Sequence, residues 1–310
     1  MTPPLKEPKS RSRGALTPSG EALGLPGPAG SPDHHCLLSR TPWAGVHGTR
    51  IHSGRHYGRH WHATLGIGWV EAGAQRSASG RGPVEAQAGD LISSNPGEVH
   101  DGHPIGDQPR RWQMLYFEPD VAAGWLNTHR PGDVDIGRPV FQDPPLRAAL
   151  QRLFTRLAQW RESGAERAAA LACEEALTIV TAGLGRHAGT ALRMDRSDRM
   201  GGGPLAVVRE RLADDLLNAP TLAELAMLAG CSRFQLLRRF QQAHGLPPHA
   251  WLLQQRLERA RQLIRAGCGL AQAAADSGFA DQSHLTRHFT RQFGYTPGAW
   301  RAATVAAPLQ

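Results

Sequence analysis

The sequence predicts an α+β protein: a β-barrel domain with flanking helices, then an all-α domain of two helix-turn-helix units joined by a long helix. Short β-like runs, broken by Gly, Pro and Asp, occupy residues 33–120. Helical periodicity follows over 144–188. One helical pattern then occurs twice, at 222–251 and 270–300. With 310 residues, the chain is long enough for two domains with separate cores.

Changes in composition place the domain boundaries. Residues 1–32 are dominated by Pro, Gly, Ser and charge, so we expect them to be disordered. The β-rich domain with its helices is predicted over 33–192, and the helical domain over 204–303. Residues 193–203 are polar and glycine-rich, which is typical of a flexible linker.

The first domain is predicted to contain many short strands and then two helices. The clearest strands are His62–Val70, Asp90–Ser94 and Trp112–Phe117, separated by turn-forming clusters. Strands at this spacing indicate a small barrel or sandwich.

Two helices that meet near 162–164 should follow these strands. The first carries a leucine stripe at i, i+4, i+7 and i+11: Leu146, Leu150, Leu153 and Leu157. We interpret the stripe as core against the sheet, with contact across a dimer as the alternative.

Each copy of the repeat predicts a short helix, a tight turn at Gly and a second helix, the order of a helix-turn-helix. Thr221 and Glu224 form the pattern of a capping box, and Gly230 suits the left-handed turn. Ser232 and Asp281 are predicted to cap the second helices of the two copies.

A long helix is predicted to connect the two units, starting at Pro248 and running to about Arg265. Its length would be about 27 Å. Half-sites on one face of DNA lie about 34 Å apart, so such a spacer could hold both second helices in neighbouring major grooves.

The outer faces of the two second helices supply the candidate DNA-reading residues. The apolar pairs Leu236/Phe240 and Leu285/Phe289 should face the core, which leaves the other face for base edges. The candidates are Arg233, Phe234, Leu237, Arg238, Gln282, Ser283, Thr286 and Arg287.

The charge of the chain favours a polyanionic partner. The formal net charge is +8, and residues 204–301 contain twelve arginines against seven acidic residues. The four cysteines are far apart, which argues against a disulfide framework or a zinc finger and favours a reducing, cytoplasmic compartment. No segment reaches 18 continuous apolar residues, so we expect no membrane span.

The helical domain resembles the C-terminal domain of AraC/XylS transcriptional regulators. The resemblance covers about 100 residues and is carried by the segments PHAWLLQQRLERARQLI and GFADQSHLTRHFTRQFGYTPGAWR. It implies binding to double-stranded DNA at two successive major grooves, activation of transcription with RNA polymerase as a further partner, and a homodimer. It also implies base-facing positions at Phe234, Leu237, Arg238, Ser283 and Arg287.

The first domain resembles the cupin-type sensor domain of many AraC/XylS members, which implies a cupin-like barrel that senses a small-molecule effector and dimerises. Gly54, His60, His62 and Gly73 match parts of the first cupin motif, and 89–100 match the second loosely. The metal-binding Glu of that motif is replaced by Leu65, Gly66 or Ile67. The candidates for effector contacts are His60, His62, Trp69, His100 and Tyr116.

The predicted function is therefore an effector-responsive, sequence-specific transcriptional activator without enzymatic activity, metal or cofactor. The imidazoles of His60, His62 and His100 could also form a metal site. The alternative is thus a cupin-type metal-binding enzyme or sensor fused to a DNA-binding tail, and a sensor reduced to a scaffold also stays open.

Overall fold

The computed structural model describes residues 34–126, 134–189 and 203–304. The predicted disordered segment 1–32 and residues 193–202 of the predicted linker lie outside the described residues. The strands of the first domain are β1 (His34–Ser39), β2 (Val46–Ser53), β3 (Tyr57–His60), β4 (Leu65–Ala72), β5 (Ala74–Ser79), β6 (Gly82–Gln87), β7 (Leu91–Ser94), β8 (His100–Pro104), β9 (Arg110–Phe117), β10 (Asp135–Ile136), β11 (Val140–Phe141) and β12 (Ala188–Gly189).

Most of these strands form two antiparallel sheets. The larger sheet has the order β1-β2-β9-β4-β7-β11, and the smaller has the order β3-β8-β5-β6. A third, two-stranded pairing joins β10 to β12. The expected β-rich domain followed by a helical domain is confirmed.

The alternation of side chains along β4 separates two environments. Leu65, Ile67 and Trp69 point into the main core beneath the helices. Val70 points to the opposite face, where it packs with Trp112 and other residues that face the smaller sheet.

The helices of the first domain are α1 (Pro119–Trp125), α2 (Pro144–Glu162) and α3 (Arg167–Gly185), so the predicted break near 162–164 is confirmed. All four leucines of the stripe, Leu146, Leu150, Leu153 and Leu157, are buried at 0–1% exposure in the core against the sheet and α3. The interpretation as core is confirmed, and the alternative of a dimer contact through this stripe is wrong.

Helix α3 is long and apolar enough to cross a membrane by length and composition alone. A core helix meets the same criteria, and α3 packs against α2 through buried Leu177, Val180 and Leu184. Its opposite face leaves Leu171 and Ile179 exposed.

The second domain contains α4 (Pro204–Asp214), α5 (Leu222–Leu228), α6 (Arg233–His244), α7 (Pro248–Arg265), α8 (Leu270–Ala275), α9 (Gln282–Phe293) and α10 (Pro297–Thr304). The pairs α5/α6 and α8/α9 are the two helix-turn-helix units, and α7 is the 18-residue connecting helix. Helix α4 was not predicted; it packs Val208 and Leu212 into the core of the first unit.

The predicted helix ends are confirmed by their hydrogen bonds. Thr221 and Glu224 form a reciprocal capping box, and Ser232 forms a second one with Gln235. The Asp281 side chain accepts a hydrogen bond from the His284 N–H at 2.6 Å. These caps satisfy amide groups that lack partners in the first helical turn.

One predicted strand was placed too early. His62–Val70 was expected to be continuous, but β3 ends at His60 and β4 begins at Leu65. The segment between them crosses from the smaller sheet to the larger one, so His60 and His62 do not share a strand.

Candidate effector cavity and DNA interface

A cavity of about 120 Å³ lies between the two sheets of the first domain. Strand β9 contributes four lining residues at every second position, Arg110, Trp112, Met114 and Tyr116. Their spacing follows from the period of two along a strand, which puts alternate side chains on one face. Aromatic walls with a few polar groups are typical of small-molecule sites.

Three of the predicted effector residues, His60, His62 and His100, meet at this cavity although they come from different segments. The ring centroids of His60 and His62 lie 4.9 Å apart, and those of His60 and His100 lie 4.6 Å apart. Burial, followed by the neighbouring His100, lowers the pKa of His60 to about 3. Burial also lowers the pKa of His62 and of His100, so the structure favours three neutral imidazoles.

Arg110 is a cavity residue that sequence reasoning missed. The residue is 1% exposed, and its guanidinium donates hydrogen bonds to Gln75 Oε1 at 2.9 Å and to the carbonyls of Arg55 and Gly102. It also lies 4.7 Å from the ring centre of Trp112. Burial lowers the pKa of Arg110 to about 10, which still leaves a cation at neutral pH.

Trp69 does not line the cavity, so its selection as an effector residue was wrong. It shares the face of β4 with Leu65 and Ile67 and packs edge-on against Phe154 of α2 at 5.3 Å. The alternate positions of β4 face the cavity. There, Gly66 and Gly68 leave room for Met114 of the neighbouring strand. Tyr116 is one of the alternate residues of β9 that face the cavity, and it lines the cavity as predicted.

The helical second domain completes the cavity wall. Gln292 and Phe293, at the end of α9, are lining residues, and the Phe293 ring lies 6.0 Å from that of His62. The Gln292 amide donates to Gln254 Oε1 at 2.8 Å, and the same oxygen accepts from the Trp61 N–H at 3.2 Å. No local sequence signal marks these residues, because Gln292 and its partner in the first domain, Trp61, are 231 positions apart in the chain.

Buried charges connect the two domains. Arg261 of α7 contacts both oxygens of Glu118 at 2.8 and 3.3 Å and Glu258 at 2.8 Å, and Arg265 also reaches Glu118 at 3.0 Å. Burial alone would lower the pKa of Arg261, but Glu258 and Glu118 outweigh it and raise that pKa. Arg261 therefore stays charged, and the ion cluster holds α7 against the start of α1.

The first domain also contacts the carboxyl ends of both second helices. Gly245 after α6 and Gly294 after α9 adopt left-handed backbone conformations, with φ of 76° and 82°. Arg59 donates to the Gly245 carbonyl at 3.3 Å, and His34 Nε2 donates to the Gly294 carbonyl at 3.0 Å. The equivalent ends of the two repeats thus both dock on the first domain.

Apolar side chains of the first domain complete the cores of both units. Trp61 and Val99 pack into the cluster of the first unit, and Cys36 and Leu38 pack against that of the second. The contact between the domains is therefore both apolar and ionic.

The candidate DNA-reading residues lie on the helix faces turned away from these cores. All are exposed except Thr286, which is partly buried and donates from Oγ1 to the Gln282 carbonyl at 2.8 Å. Phe234 is 75% exposed, which has no packing explanation within the domain. Leu236, Phe240, Leu285 and Phe289 are fully buried, as the helical spacing predicted.

Comparison with known proteins agrees with this architecture. Residues 44–178 match the AraC-like ligand binding domain, and residues 225–303 match a helix-turn-helix domain. The chain belongs to the AraC family of transcriptional regulators. In this AraC-family chain, the β-rich domain is thus a ligand-binding domain and the helical domain is a DNA-binding one.

Relatives of this AraC-family chain are regulators. It is 27% identical to the uncharacterized HTH-type transcriptional regulator YbfI of Bacillus subtilis over 73% of this chain and 80% of that protein. It is 28% identical to the transcriptional activator NphR of Rhodococcus over 57% of this chain and 53% of that protein. Among solved structures, fatty-acid-bound ToxT of Vibrio cholerae aligns over 90% of this chain and 99% of its own, with 11% identity and a TM-score of 0.43.

Proposed function

We propose that this regulator reads two successive major grooves with α6 and α9, and that a small organic effector in the cavity controls how it does so. The observation that carries the proposal is the shared wall of the cavity. Gln292 and Phe293 belong to the helix that also carries Gln282, Ser283 and Arg287. An effector in the cavity would therefore touch the second DNA-reading helix.

The exposed faces of α6 and α9 support the assignment of the DNA-reading residues. Arg238 and Arg287 can donate two parallel hydrogen bonds to guanine, and Phe234 and Leu237 can contact the methyl group of thymine. Both helices begin at a capped N-terminus, and recognition helices contact bases mainly with their first turns.

The coupling between effector and DNA follows from differential binding. A ligand shifts the protein toward an arrangement only by as much as it binds that arrangement more tightly. Because the sensor domain docks on the ends of α6 and α9, an effector that moves this contact changes the relative placement of the two helices. DNA affinity and effector affinity are then reciprocally linked.

The remaining features of the proposed function are an activating role, contact with RNA polymerase, a homodimer, a cytoplasmic location and no catalysis. The names of NphR and of the Yersinia enterocolitica activator VirF support activation. Exposed Leu171 and Ile179 on α3 offer an apolar surface for a second copy of the chain.

Footprinting of the full chain on DNA selected in vitro tests the proposal. We expect two protected segments about one helical turn apart, and affinity that falls steeply with added salt because phosphate contacts release counterions. The matched control is Arg301→Ala, an exposed arginine on α10 outside the two reading helices. Equal, weak binding to every sequence at low salt would contradict sequence-specific reading.

A second experiment tests the role of the effector. Metabolite mixtures are screened by thermal shift, and each hit is added to the footprinting assay. We expect a hit to change DNA affinity in the wild-type chain and to lose this effect in Phe293→Ala. A ligand that binds the cavity without changing DNA affinity would contradict the proposed control.

A further inference from the structure

We propose that His288, on the flank of α9, binds a DNA phosphate and takes up a proton from solvent as it does so. The inference rests on the proposed function, in which α9 lies in a major groove. His284 and His288 are one helical turn apart, and their ring centroids lie 4.7 Å apart. Both rings are partly exposed, and the His284 ring packs edge-on against Phe279 at 5.4 Å. The pair therefore forms an ordered imidazole surface on the helix.

The histidine pair lies beside the face of α9 that is proposed to read bases. Each residue of an α-helix is turned by about 100° from the one before it. His288 is thus one step round from Arg287 and one step before the buried Phe289. A side chain between the base-reading face and the core lies at the edge of the helix, where the phosphates of a major groove run. Phosphate contacts from such positions fix the register of a protein on the duplex.

The charged groups around the His288 ring are basic. In the described part of the chain, the groups that act on it are His284, Arg287 and Arg291 of α9 and His249 of α7. Burial, and then these neighbours, lowers the pKa of His288, so the ring is neutral in the free protein at neutral pH. A phosphate among these groups favours the imidazolium form instead, because an opposite charge stabilises it. DNA binding and protonation of His288 are therefore linked.

The carboxylates of the neighbouring elements are engaged elsewhere. Asp281 accepts from a backbone N–H at the start of α9, and Asp276 accepts from the Gln272 amide at 2.7 Å. Glu258, the one acid of α7, is 4% exposed and pairs with Arg261 at 2.8 Å. Helices α8 and α10 contain no acid. Within the described residues, the histidine pair thus has no carboxylate partner, and its position suits an external anion.

The two rings of the pair differ in their freedom to gain a proton. His284 Nδ1 accepts from the Ala280 N–H at 3.3 Å, so the hydrogen of this ring lies on Nε2. A proton on Nδ1 would break that hydrogen bond. Among the described residues, His288 makes no side-chain hydrogen bond, so both of its ring nitrogens can carry hydrogen and one can donate to phosphate.

The first unit carries a permanent cation at the equivalent position. Phe240 of α6 corresponds to Phe289 of α9, so Arg239 is the counterpart of His288. Arg239 is exposed, and an arginine stays charged at every physiological pH. One reading helix therefore carries a fixed charge at this position and the other a titratable one.

The proposal is tested by measuring DNA affinity as a function of pH. Fluorescence anisotropy of the full chain is recorded with a duplex selected in vitro, at constant ionic strength and between about pH 8 and pH 6. We expect the affinity to rise about 10-fold toward pH 6, which corresponds to about 1.4 kcal/mol. The slope of log affinity against log salt should also steepen by about 0.9 at pH 6, because one more phosphate contact forms.

Two variants exchange the fixed and the titratable charge. His288→Arg should bind at pH 8 as tightly as the wild-type chain at pH 6 and should lose the pH dependence. Arg239→His should bind more weakly at pH 8 and gain a second proton-dependent step. The control His56→Gln changes an exposed histidine of the first domain and should keep the wild-type profile. Circular dichroism at pH 6 checks that each variant is folded.

The pH profiles separate this inference from the proposed function. An affinity that does not rise toward pH 6 would overturn the phosphate contact, as would a rise that persists in folded His288→Arg. In either case, sequence-specific binding at constant affinity would leave the reading of two major grooves intact. Absence of sequence-specific binding at every pH would reject both.

Discussion

Arg238 and Arg287 occupy equivalent places on the two DNA-reading helices, and both are exposed. We predict that Arg238→Ala and Arg287→Ala each cost about 1–3 kcal/mol of binding free energy and relax the preference at one base position, because we propose that each arginine makes a bidentate contact to guanine. Competitive binding to a library of operator variants measures this. A uniform loss over all sequences would instead mean a phosphate contact.

His47 is a buried imidazole at the interface between the domains. Its ring stacks on Tyr116 at 5.0 Å and meets the edge of Trp300 of α10 at 4.8 Å. Burial, and then the charges of Arg261 and Arg265, holds the pKa of His47 well below its ordinary value. The folded chain therefore keeps this ring neutral at a pH where the unfolded chain protonates it.

Because the pKa of His47 is lower in the folded chain than in the unfolded chain, its contribution to the free energy of unfolding is present above a pH of about 6.5. This contribution is lost as the pH falls below that value. The loss is up to about 1.4 kcal/mol per pH unit for this one group. We predict that His47→Phe flattens the fall in the free energy of unfolding between pH 6.5 and 5.5, measured by urea denaturation. His52→Phe on the same strand is the control, and an equal flattening there would contradict the prediction.

Alternation along the strands explains both what could be predicted about the cavity and what could not. Tyr116 was placed correctly, and the period of two on β9 would have added Arg110, Trp112 and Met114. Trp69 was wrongly predicted to line the cavity, because the sequence does not reveal which alternate side chains of β4 face the helices and which face the cavity. The helical repeat was easier to predict, because capping residues and apolar spacing determine each helix locally. The four positions predicted to face its core, Leu236, Phe240, Leu285 and Phe289, are all buried.

Gly68 on β4 allows two neighbouring strands to approach. A Cβ at this position would lie 1.8 Å from the Gln113 carbonyl oxygen of β9. We predict that Gly68→Ala destabilises the first domain by several kcal/mol, of order 3 kcal/mol or more, because backbone atoms must move apart. Gly185→Ala is the control; its Cβ meets open space, and helix propensity favours Ala by about 1 kcal/mol. Thermal unfolding of both variants checks the contrast.

The arrangement of the two domains depends on contacts that no local pattern contains. Glu118 and Arg261 are separated by 143 positions, and neither lies in a motif. Sequence reasoning identified each domain from its own repeats and strands, but pairing between them is decided by packing in three dimensions. For the same reason, Gln292 and Phe293 could not be recognised as cavity residues.

Glu118 should be the most sensitive residue of this interface. We predict that Glu118→Gln lowers the free energy of unfolding by about 3–5 kcal/mol, because Arg261 would remain buried with one of its two carboxylates removed. In contrast, Glu85→Gln breaks an exposed pair with Arg76 and should cost less than about 1 kcal/mol. Chemical denaturation compares them, and equal losses would show that the buried cluster has no special role.

The size of the cavity limits how sensitive the regulator can be to an organic signal. A volume near 120 Å³ holds a molecule about as large as benzene, roughly six non-hydrogen atoms. The best small ligands gain about −1.5 kcal/mol per such atom, or about −9 kcal/mol here, which corresponds to a dissociation constant of about 0.3 μM. A compound held wholly inside this volume would therefore bind no tighter than this, and would act on gene expression only when its concentration reaches that range.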